Sequence, residues 1–483
     1  MKTNKRNISN LIILLIIGLL NFSCTAEKES LSIVEMRNDI DSLVKIIEEI
    51  HINPYYKVSK IDFYKEIDSL KNNLTAEKDT IEFWKYVAPV VARLEDGHTY
   101  VYFPYNYFIK KKPLVFPFIV KTSNYSPYIS IQDGDNSIPA KSEIISINGI
   151  PSKDLISEYL QYESGEDIQS RAEWIADGFE YYINAVSNIK EKCIIEYKTD
   201  NEVFTSNIKF IPLPEFLIKQ QAFDGEDEET EEPYTLKVKE DVSIAIIDFR
   251  SFDGIERMKL FADSAFTMIK EKKIDNLIID LRENGGGNSG VGDELFQYLA
   301  KSDFRQYSDQ TIIKSSPQLK YTLKAEKEKL KEKKHLTLID SLDLTEINRV
   351  LETPYGQTTT CHYAKNATTL KDDLPMRFTG NLYILCSKLT YSSASDFAQT
   401  IKAYNLGKII GEETGGWIVC YGDTFYDLLP HSRLIVGVSG VKFINQGAKS
   451  NDWHGVIPDI IVPSDESMEY VLEMIKEKNM RGF

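Results

Sequence analysis

The chain has 483 residues, of which 42% are hydrophobic and 27% are charged, with 27 tyrosines and 23 phenylalanines. A composition this apolar and aromatic excludes a largely disordered protein, and the length suggests about three domains. The formal net charge is −16, and no basic cluster follows the extreme N-terminus. Because nucleic-acid binding depends on neutralising phosphates with Lys and Arg, we expect no nucleic-acid partner.

The N-terminal residues have the pattern of a targeting signal. A basic head at residues 2–6 precedes the apolar run 11–20, which is too short to cross a bilayer, and Cys24 follows. This pattern resembles a bacterial lipoprotein signal peptide over residues 1–23. The resemblance implies a lipid on the Cys24 thiol and a place in the cell envelope, on the periplasmic or outer-surface side, with the lipid as the only membrane contact. A cleaved ordinary signal peptide is the alternative.

Four further cysteines are spread over the rest of the chain. They show no CxxC spacing, so we predict no structural zinc site, and a disulfide among them stays open: Cys193, Cys361, Cys386 and Cys420.

The region before residue 240 divides into three segments. Apolar residues at helical spacing predict an N-terminal helical domain over residues 24–111. Residues 112–212 contain short strand-like runs and an Asn-Gly turn before a helix, and they resemble a PDZ-like domain. Residues 213–239 include the stretch "FDGEDEETEEP" and predict an exposed acidic linker.

Predicted strands and helices alternate over residues 240–483, the pattern of an α/β fold. Continuously apolar runs such as "VSIAIIDFR" and "IDNLIIDL" predict strands of a sheet that is covered on both faces. A Lys/Glu-rich segment within about residues 300–375 interrupts this alternation of strands and helices, and we interpret it as a solvated helical insertion.

A glycine-rich turn follows one predicted strand, where Asn284 precedes Gly285, Gly286 and Gly287. Three glycines allow positive φ and a close approach of the backbone. A phosphate cradle is one interpretation, but no Gly-Lys-Ser follows and the GxGxxG spacing is absent. The other is an oxyanion hole, in which peptide N–H groups bind the charge that develops on a carbonyl oxygen. The glycines alone leave both open.

Three serines lie in "TYSSASDFA", residues 390–398, between a predicted strand and a helix. A nucleophilic serine at such a junction gains from the helix N-terminus, and the next amide can bind an oxyanion. Serine is also a common N-cap, worth roughly 1 kcal/mol. A nucleophile needs a base, and His98 is a candidate among the six histidines because it follows Gly97 where helical pattern gives way to strand.

Four segments in a fixed order carry a family resemblance: "NLIIDLRENGGG", "FTGNLYILCSKLTYSSASDFAQTIKAY", "KIIGEETGG" and "HGVIPDIIV". After a PDZ-like region, they resemble the carboxy-terminal processing peptidases, or tail-specific proteases, which share a catalytic core with tricorn protease. The resemblance covers roughly residues 30–475, apart from the insertion. It implies an α/β catalytic core with a ClpP/crotonase-like mixed sheet and helices, together with an N-terminal helical unit and a PDZ-like β domain.

The resemblance also implies a serine-type peptidase, a hydrolase without metal or organic cofactor. The nucleophile of the family motif falls on Ser392. The amide of Ser393 and that of Gly286, or of Gly285, would then form the oxyanion hole.

The base divides the family into two branches. One branch uses a lysine in a "GEPTxGK"-like stretch, but here "GEETGGW" has Trp417 in that place. The tricorn-like branch takes a histidine from a "DGHT" element, and "EDGHTYV" puts His98 there. A carboxylate near the "GVxPD" end completes the site, with Asp452 as the closest candidate and Glu412 as a weaker one. The tricorn-like pattern has Glu where this chain has the shorter Asp452.

The implied function is that of a serine endopeptidase acting on unfolded or C-terminal segments of envelope or imported proteins. In this mechanism His98 takes the proton from Ser392 as the hydroxyl attacks a peptide carbonyl. The PDZ-like module would capture peptide as an added strand. Two other functions fit the same architecture: a catalytically inactive peptide- or lipid-binding lipoprotein, and an esterase.

Overall fold

In a computed structural model of the chain, the structure describes residues 30–123, 125–130, 138–226, 232–333, 335, 338–361, 367–371 and 374–481. The predicted signal peptide, residues 1–23, and the predicted lipid anchor, Cys24, lie outside these residues. No helix in the described ranges has the length and apolar character needed to span a membrane. The chain forms two compact units. Of the described residues, unit 1 comprises those within 30–47, 53–226 and 426–437, and unit 2 comprises those within 48–52, 232–425 and 438–481.

The described part of the N-terminal region is helical. Its helices are α1 (Ile33–Ile50), α2 (Lys60–Asn72), α3 (Thr80–Ala92) and the short α4 (Tyr105–Lys110). Asp79 caps helix α3, because its side chain accepts the N–H of Glu82. After α3 the chain passes through a turn into the two-residue strand β1 (Tyr100–Val101), which pairs with Val436 and Gly437 of unit 1.

The rest of unit 1 is mainly an antiparallel sheet in the order β3-β4-β5-β7-β8. The turn between β7 and β8 has Asp200 at φ 49° and Asn201 at φ 68°, the geometry of a two-residue hairpin. The strands are β2 (Leu114–Val115), β3 (Val120–Ser123), β4 (Ser126–Ile129), β5 (Glu143–Ile147), β6 (Ile150–Pro151), β7 (Lys192–Thr199), β8 (Glu202–Lys209) and β9 (Ile211–Pro212). The helices are α5 (Ser152–Tyr159), a 3-10 turn (Leu160–Tyr162), α6 (Ile168–Asp177) and α7 (Phe179–Ala185). The assignment of this region as a PDZ-like domain stays a prediction.

The segment predicted as an acidic linker, residues 213–239, contains regular structure at both ends. Leu213–Glu226 form helix α8, and Tyr234–Lys239 form strand β10. The side chain of Phe216 is buried with Phe108 and Val115 of unit 1, because α8 has an apolar side as well as acidic residues.

Unit 2 is built on a six-stranded sheet in the order β10-β11-β12-β15-β16-β19. Strand β10 runs antiparallel to its neighbour, and the remaining pairs are parallel. Its strands after β10 are β11 (Ile244–Phe249), β12 (Asn276–Asp280), β15 (Asn381–Cys386), β16 (Lys408–Gly411) and β19 (Ile460–Ile461).

Helices cover both faces of this sheet, as the continuously apolar strands predict. On one face, alternate residues such as Ile247 and Ile279 pack with helices α9 (Ile255–Glu271), α10 (Ser289–Leu299) and α13 (Ser393–Ala403). On the other face, Ile246 and Ile278 pack with Val471 of helix α14 (Ser467–Arg481). A mixed α/β core of this kind is the predicted fold class.

The predicted insertion, residues 300–375, contains two helices and a pair of short strands. They are β13 (Ile312–Lys314), α11 (Pro317–Lys331), α12 (Leu338–Glu352) and β14 (Thr358–Thr360). Strand β13 pairs with β14 and with Val441 and Lys442 of the long strand β18 (Ile435–Ile444), which also pairs with β17 (Val419–Leu428).

Candidate active site

The candidate nucleophile and the glycine turn meet beyond the carboxyl ends of two central strands of the unit 2 sheet. Strands β12 and β15 are parallel neighbours, with Asp280 paired to Leu385 near their ends. The segments that follow the carboxyl ends of neighbouring parallel strands lie side by side. The glycine turn follows β12, and Ser392 follows β15. Two segments 106 positions apart along the chain are thereby brought into contact.

Ser392 stands at the junction of strand and helix with a strained backbone, at φ 51° and ψ −130°. Positive φ in a non-glycine residue costs on the order of 1–3 kcal/mol and is concentrated at functional sites. The Ser392 side chain makes no capping hydrogen bond to the first turn of α13. Capping, the other role considered for a serine here, is therefore not the role of Ser392. A strained strand-to-helix turn is also how α/β hydrolases expose a nucleophile.

The two neighbouring serines hold the junction together. The Ser393 hydroxyl donates to the carbonyl of Gly287 at 2.7 Å, and the Ser395 hydroxyl donates to the carbonyl of Thr390 at 2.9 Å. The Thr390 hydroxyl in turn donates to the carbonyl of Leu281 at 2.8 Å. Each bond is internal to unit 2 and ties the serine stretch to the β12 turn or to itself, so these hydroxyls have structural partners.

Gly286 packs directly against Ser392. A β-carbon at this position would lie 2.7 Å from the Tyr391 carbonyl oxygen, 2.8 Å from the Ser392 β-carbon and 2.9 Å from the Ser393 nitrogen. Its φ of 93° is also a conformation that favours glycine. A β-carbon at Gly285, by contrast, would meet nothing within 4 Å. The close approach of the turn to the serine therefore depends on Gly286.

Asn284 fixes the shape of the glycine turn. Its side chain is fully buried, donates from Nδ2 to the Phe249 carbonyl at 2.7 Å, and accepts the Gly286 N–H at 2.9 Å. Its carbonyl accepts the N–H of Tyr391 at 3.0 Å. The N–H of Gly286, a predicted oxyanion donor, thus has Asn284 as its partner in this structure. Sequence reasoning assigned no role to Asn284, although it stands between the strand and the glycines.

A second glycine, Gly416, supports Ser392 from another side. Its N–H donates to the Thr390 carbonyl at 3.1 Å. A β-carbon on it would lie 2.6 Å from the Ser392 nitrogen and 2.6 Å from the Ser395 hydroxyl. The next residue, Trp417, pairs with Gly455 in an isolated bridge, and its side chain packs on a buried cluster that includes Tyr307. An indole therefore occupies the position at which one branch of the family has lysine.

A buried carboxyl anchors helix α13 one turn beyond the nucleophile position. Asp396 is fully enclosed and accepts hydrogen bonds from the Asn445 amide at 2.7 Å and from the Tyr307 hydroxyl at 2.8 Å. Burial, the largest cause, raises the pKa of Asp396 to about 7, with a smaller contribution from Asp423. The N–H of Asp396 donates to the Ser392 carbonyl at 3.1 Å, so the anchor is coupled to the serine backbone.

The two carboxylates predicted near the C-terminal motif both belong to unit 2. Asp452 closes its own turn, accepting the N–H of Lys449 at 2.8 Å. Glu412 directly follows β16, and its N–H donates to the carbonyl of Cys386 at 3.1 Å. Asp452 and Glu412 are each partly exposed. The cysteines considered for a disulfide, Cys193, Cys361, Cys386 and Cys420, are buried thiols.

His98 belongs to unit 1, in the turn between α3 and β1. Asp96, which is fully buried, organises this turn: its carboxylate accepts the His98 N–H at 3.0 Å and the Thr99 hydroxyl at 2.5 Å. The N–H of Thr99 donates to the Asp96 carbonyl at 2.9 Å. The "DGHT" element is thus an aspartate-closed turn that holds the backbone of a partly exposed His98 in place.

A third side chain, Glu166, joins Asp96 and His98. One nitrogen or carboxylate oxygen from each of the three lies within 4.8 Å of the others. The loop that carries Glu166 is bound to the turn, because the Ser164 hydroxyl donates to the Asp96 carbonyl at 2.8 Å. This donor set could hold a metal ion, or it could pair an imidazole with a carboxylate. Nothing in the sequence spacing indicated Glu166.

Of the predicted site residues, unit 2 brings together Ser392, Ser393, Gly286 and Gly285. Asp452 is engaged in a turn of its own in that unit, and His98 lies in unit 1.

Comparisons with known proteins support the fold and the family. The model of peptidase family S41 matches residues 243–462, which include the glycine turn and Ser392. Comparison with curated protein sequences gave no match. The structure of mature CPAF is 13% identical, with a TM-score of 0.67 over 92% of this chain and 97% of that chain. Mature CPAF complexed with lactacystin is 12% identical, with a TM-score of 0.67 over 93% and 99%.

A third solved structure, the photosystem II D1 C-terminal processing protease, is 12% identical and covers 91% of this chain and 97% of that chain, with a TM-score of 0.46. The two CPAF structures show the same mixed α/β fold as this chain, which confirms the predicted fold class. The match over residues 243–462 identifies the core of the chain as that of peptidase family S41, which supports the predicted serine-type peptidase.

Proposed function

We propose that the chain hydrolyses peptide bonds with Ser392 as the nucleophile and His98 as the general base. One observation carries the first assignment. Ser392 has a strained backbone at the helix N-terminus, and it packs directly against Gly286 of the glycine turn. A serine in this setting benefits from the positive end of the helix dipole.

In the proposed reaction, the His98 imidazole accepts the Ser392 hydroxyl proton while Oγ bonds to the substrate carbonyl carbon. The oxyanion accepts N–H bonds from Ser393 and from the glycine turn. The imidazolium then protonates the leaving amine, and water hydrolyses the acyl-enzyme by the reverse proton transfers. If the Gly286 N–H donates to the oxyanion, it must give up or share its hydrogen bond to Asn284. The N–H of Gly285 is the other candidate donor.

Two features support histidine as the base. Trp417 cannot accept a proton at the position where the other branch has lysine. The turn closed by Asp96 fixes the backbone of His98. A histidine base predicts an acid limb in the pH profile of kcat/KM, since unperturbed imidazole titrates near pH 6.5, roughly. The resemblance adds Asp452 as a carboxylate member, which we keep as a proposal.

The proposed substrates are unfolded or C-terminal segments of envelope or imported proteins. Strand β3 is an edge of its sheet and packs against helix α6, an arrangement that suits the addition of a peptide as a further strand. Lipidation of Cys24 would hold the enzyme in the cell envelope.

Labelling with a fluorophosphonate tests the nucleophile. We expect the reagent to label the wild-type chain and not Ser392→Ala, and peptide hydrolysis to be lost with it. Ser302→Ala, which changes an exposed serine that donates to the carbonyl of its neighbour Asp303, is the matched control and should label normally. Undiminished labelling and turnover in Ser392→Ala would refute the assignment. Peptide and ester substrates compared side by side distinguish a peptidase from an esterase.

A further inference from the structure

We propose that Glu166 is a positioning residue for His98. In this arrangement its carboxylate accepts a hydrogen bond from one ring nitrogen, which orients the imidazole and stabilises its protonated form, and the other nitrogen is left for proton transfer. The proximity of the two side chains, within 4.8 Å and inside unit 1, carries the inference. The catalytic value of the pair rests on the proposed function, but the pair itself can be tested without catalysis.

Glu166 suits this role better than Asp96, the other acid beside His98. Both oxygens of Asp96 already accept bonds within its own turn, from the His98 N–H and from the Thr99 hydroxyl. Asp96 therefore holds the backbone of the turn. Glu166 approaches from a different segment of the chain. A carboxylate that accepts a hydrogen bond from a ring nitrogen fixes the orientation of the imidazole, which the backbone alone does not do.

Hydrogen bonds and packing on both sides of Glu166 hold the backbone from which its carboxylate extends. On one side, the Ser164 hydroxyl donates to the Asp96 carbonyl at 2.8 Å. On the other side, Asp167 begins helix α6 and accepts both the N–H and the hydroxyl of Ser170, at 2.9 and 3.0 Å. Between them, a β-carbon on Gly165 would lie 2.8 Å from the Trp174 ring, so the loop packs closely on α6.

The other charged groups near the turn have partners of their own. Glu95 lies 3.3 Å from Lys57, and Glu163 accepts the Tyr182 hydroxyl at 2.6 Å. The Arg171 guanidinium interacts with both Glu95 and Glu163, which offsets part of their charge. Among the described residues of unit 1, Asp96 and Glu166 each have a carboxylate oxygen within 4.8 Å of a His98 ring nitrogen, and both charges favour an imidazolium over a neutral ring.

The arrangement of donor atoms also suits a metal ion, and the two interpretations predict different results. To bind a metal, Asp96 would have to point towards the ion the same carboxylate oxygens that now accept hydrogen bonds from His98 and Thr99. We therefore assign Asp96 to hydrogen bonding within the turn, and we assign Glu166 and His98 to a carboxylate–imidazole pair instead of a metal site.

The test is an NMR titration of His98 in the full chain carrying Ser392→Ala, with His98→Gln to assign its signal. We expect Glu166→Gln to lower the His98 pKa by about one pH unit or more, because an adjacent negative charge is removed. Glu166→Asp should give a smaller fall. Glu158→Gln, which removes an exposed acid of α5, should leave the titration unchanged. An unchanged His98 titration in Glu166→Gln overturns the proposal.

Kinetics and metal content complete the test. In the active chain, Glu166→Gln should lower kcat by roughly 100- to 10,000-fold, the range seen when an orienting carboxylate is neutralised, and should move the acid limb of kcat/KM to lower pH. A purely structural residue would not move that limb. One equivalent of a divalent metal that survives dialysis and is lost in Glu166→Gln also overturns the proposal. If Ser392→Ala stays active while the NMR shift is seen, the proposed mechanism fails and the pair stands.

Discussion

A β-carbon on Gly286 would lie 2.8 Å from the β-carbon of Ser392, closer than two carbon atoms can pack without displacement. The glycine turn and the serine junction are therefore complementary surfaces with no room for a side chain between them. Hydrogen bonds from Tyr391 to Asn284 and from Ser393 to Gly287 join the same two segments. The geometry around the nucleophile is set by this contact, and substitutions on either side of it should affect catalysis.

The substitution Gly286→Ala should reduce kcat/KM by roughly 100-fold or more, the scale of losing an oxyanion donor. Its methyl group would displace Ser392 or the Ser393 N–H, and a residue with a side chain is strained at φ 93°. Gly285→Ala is the matched comparison, because nothing lies within 4 Å of its added β-carbon, and it should lose much less activity. Equal losses in the two variants would contradict this account. Circular dichroism should show that both remain folded.

The substitution Gly416→Ala should lower kcat by about 10- to 100-fold, since a displacement near 1 Å at a reacting group has effects of this size. The added methyl group would meet the Ser392 nitrogen and the Ser395 hydroxyl, each at 2.6 Å. Ser395→Ala by itself is the control for the second contact. Combining the two substitutions should not restore activity, because the collision with the Ser392 backbone remains. Full recovery in the double variant would assign the effect to Ser395 instead.

The buried carboxyl of Asp396 should make stability depend on pH. Its pKa in the folded chain, about 7, lies above its usual 3.8. Between these values the folded state holds a proton that the unfolded chain has released, so this contribution to stability is present at low pH and is lost as pH rises through about 7. Asp396→Asn removes the ionisation and can keep a bond to Tyr307. The Tm of the variant relative to wild type should therefore rise from pH 5 to pH 8.

Differential scanning calorimetry of both proteins across that range gives the measurement. Two other acids whose pKa is raised chiefly by burial, Glu173 and Asp293, are present in both chains and cancel in the difference. A Tm difference that stays constant with pH would show that Asp396 does not titrate in the folded protein as described.

Asp452 and Glu166 are alternative candidates for the carboxylate of the catalytic site, and the two assignments predict different effects of substitution. The Asp452 side chain closes a turn by accepting the Lys449 N–H, and Asp452→Asn can preserve much of that turn through its amide oxygen. We expect Asp452→Asn to lower kcat less than Glu166→Gln does and to leave the acid limb of the kcat/KM profile in place. The reverse order, with the larger loss and a moved limb in Asp452→Asn, would favour the carboxylate that the family resemblance implies.

Much of the architecture could be predicted because it depends on local pattern. The continuously apolar runs around Ile247 and Ile279 require burial on both faces, and the structure buries them between helices. The Asp79 cap and the hairpin turn at Asp200 are likewise local, since they use residue types that helix N-caps and tight turns prefer. The order of the motifs likewise indicated the family, and the S41 family model matches the core, residues 243–462.

The sequence by itself thus determined the elements, the class of core and the stretches in which the chemistry lies. Only the tertiary structure decided which serine is strained and free of capping, that Gly416 supports Ser392, and that Glu166 approaches His98. The physical reason is that periodicity and caps act over a few residues, whereas these contacts join segments far apart in the chain. Their partners are chosen by packing and hydrogen bonding between whole elements, which no local pattern encodes.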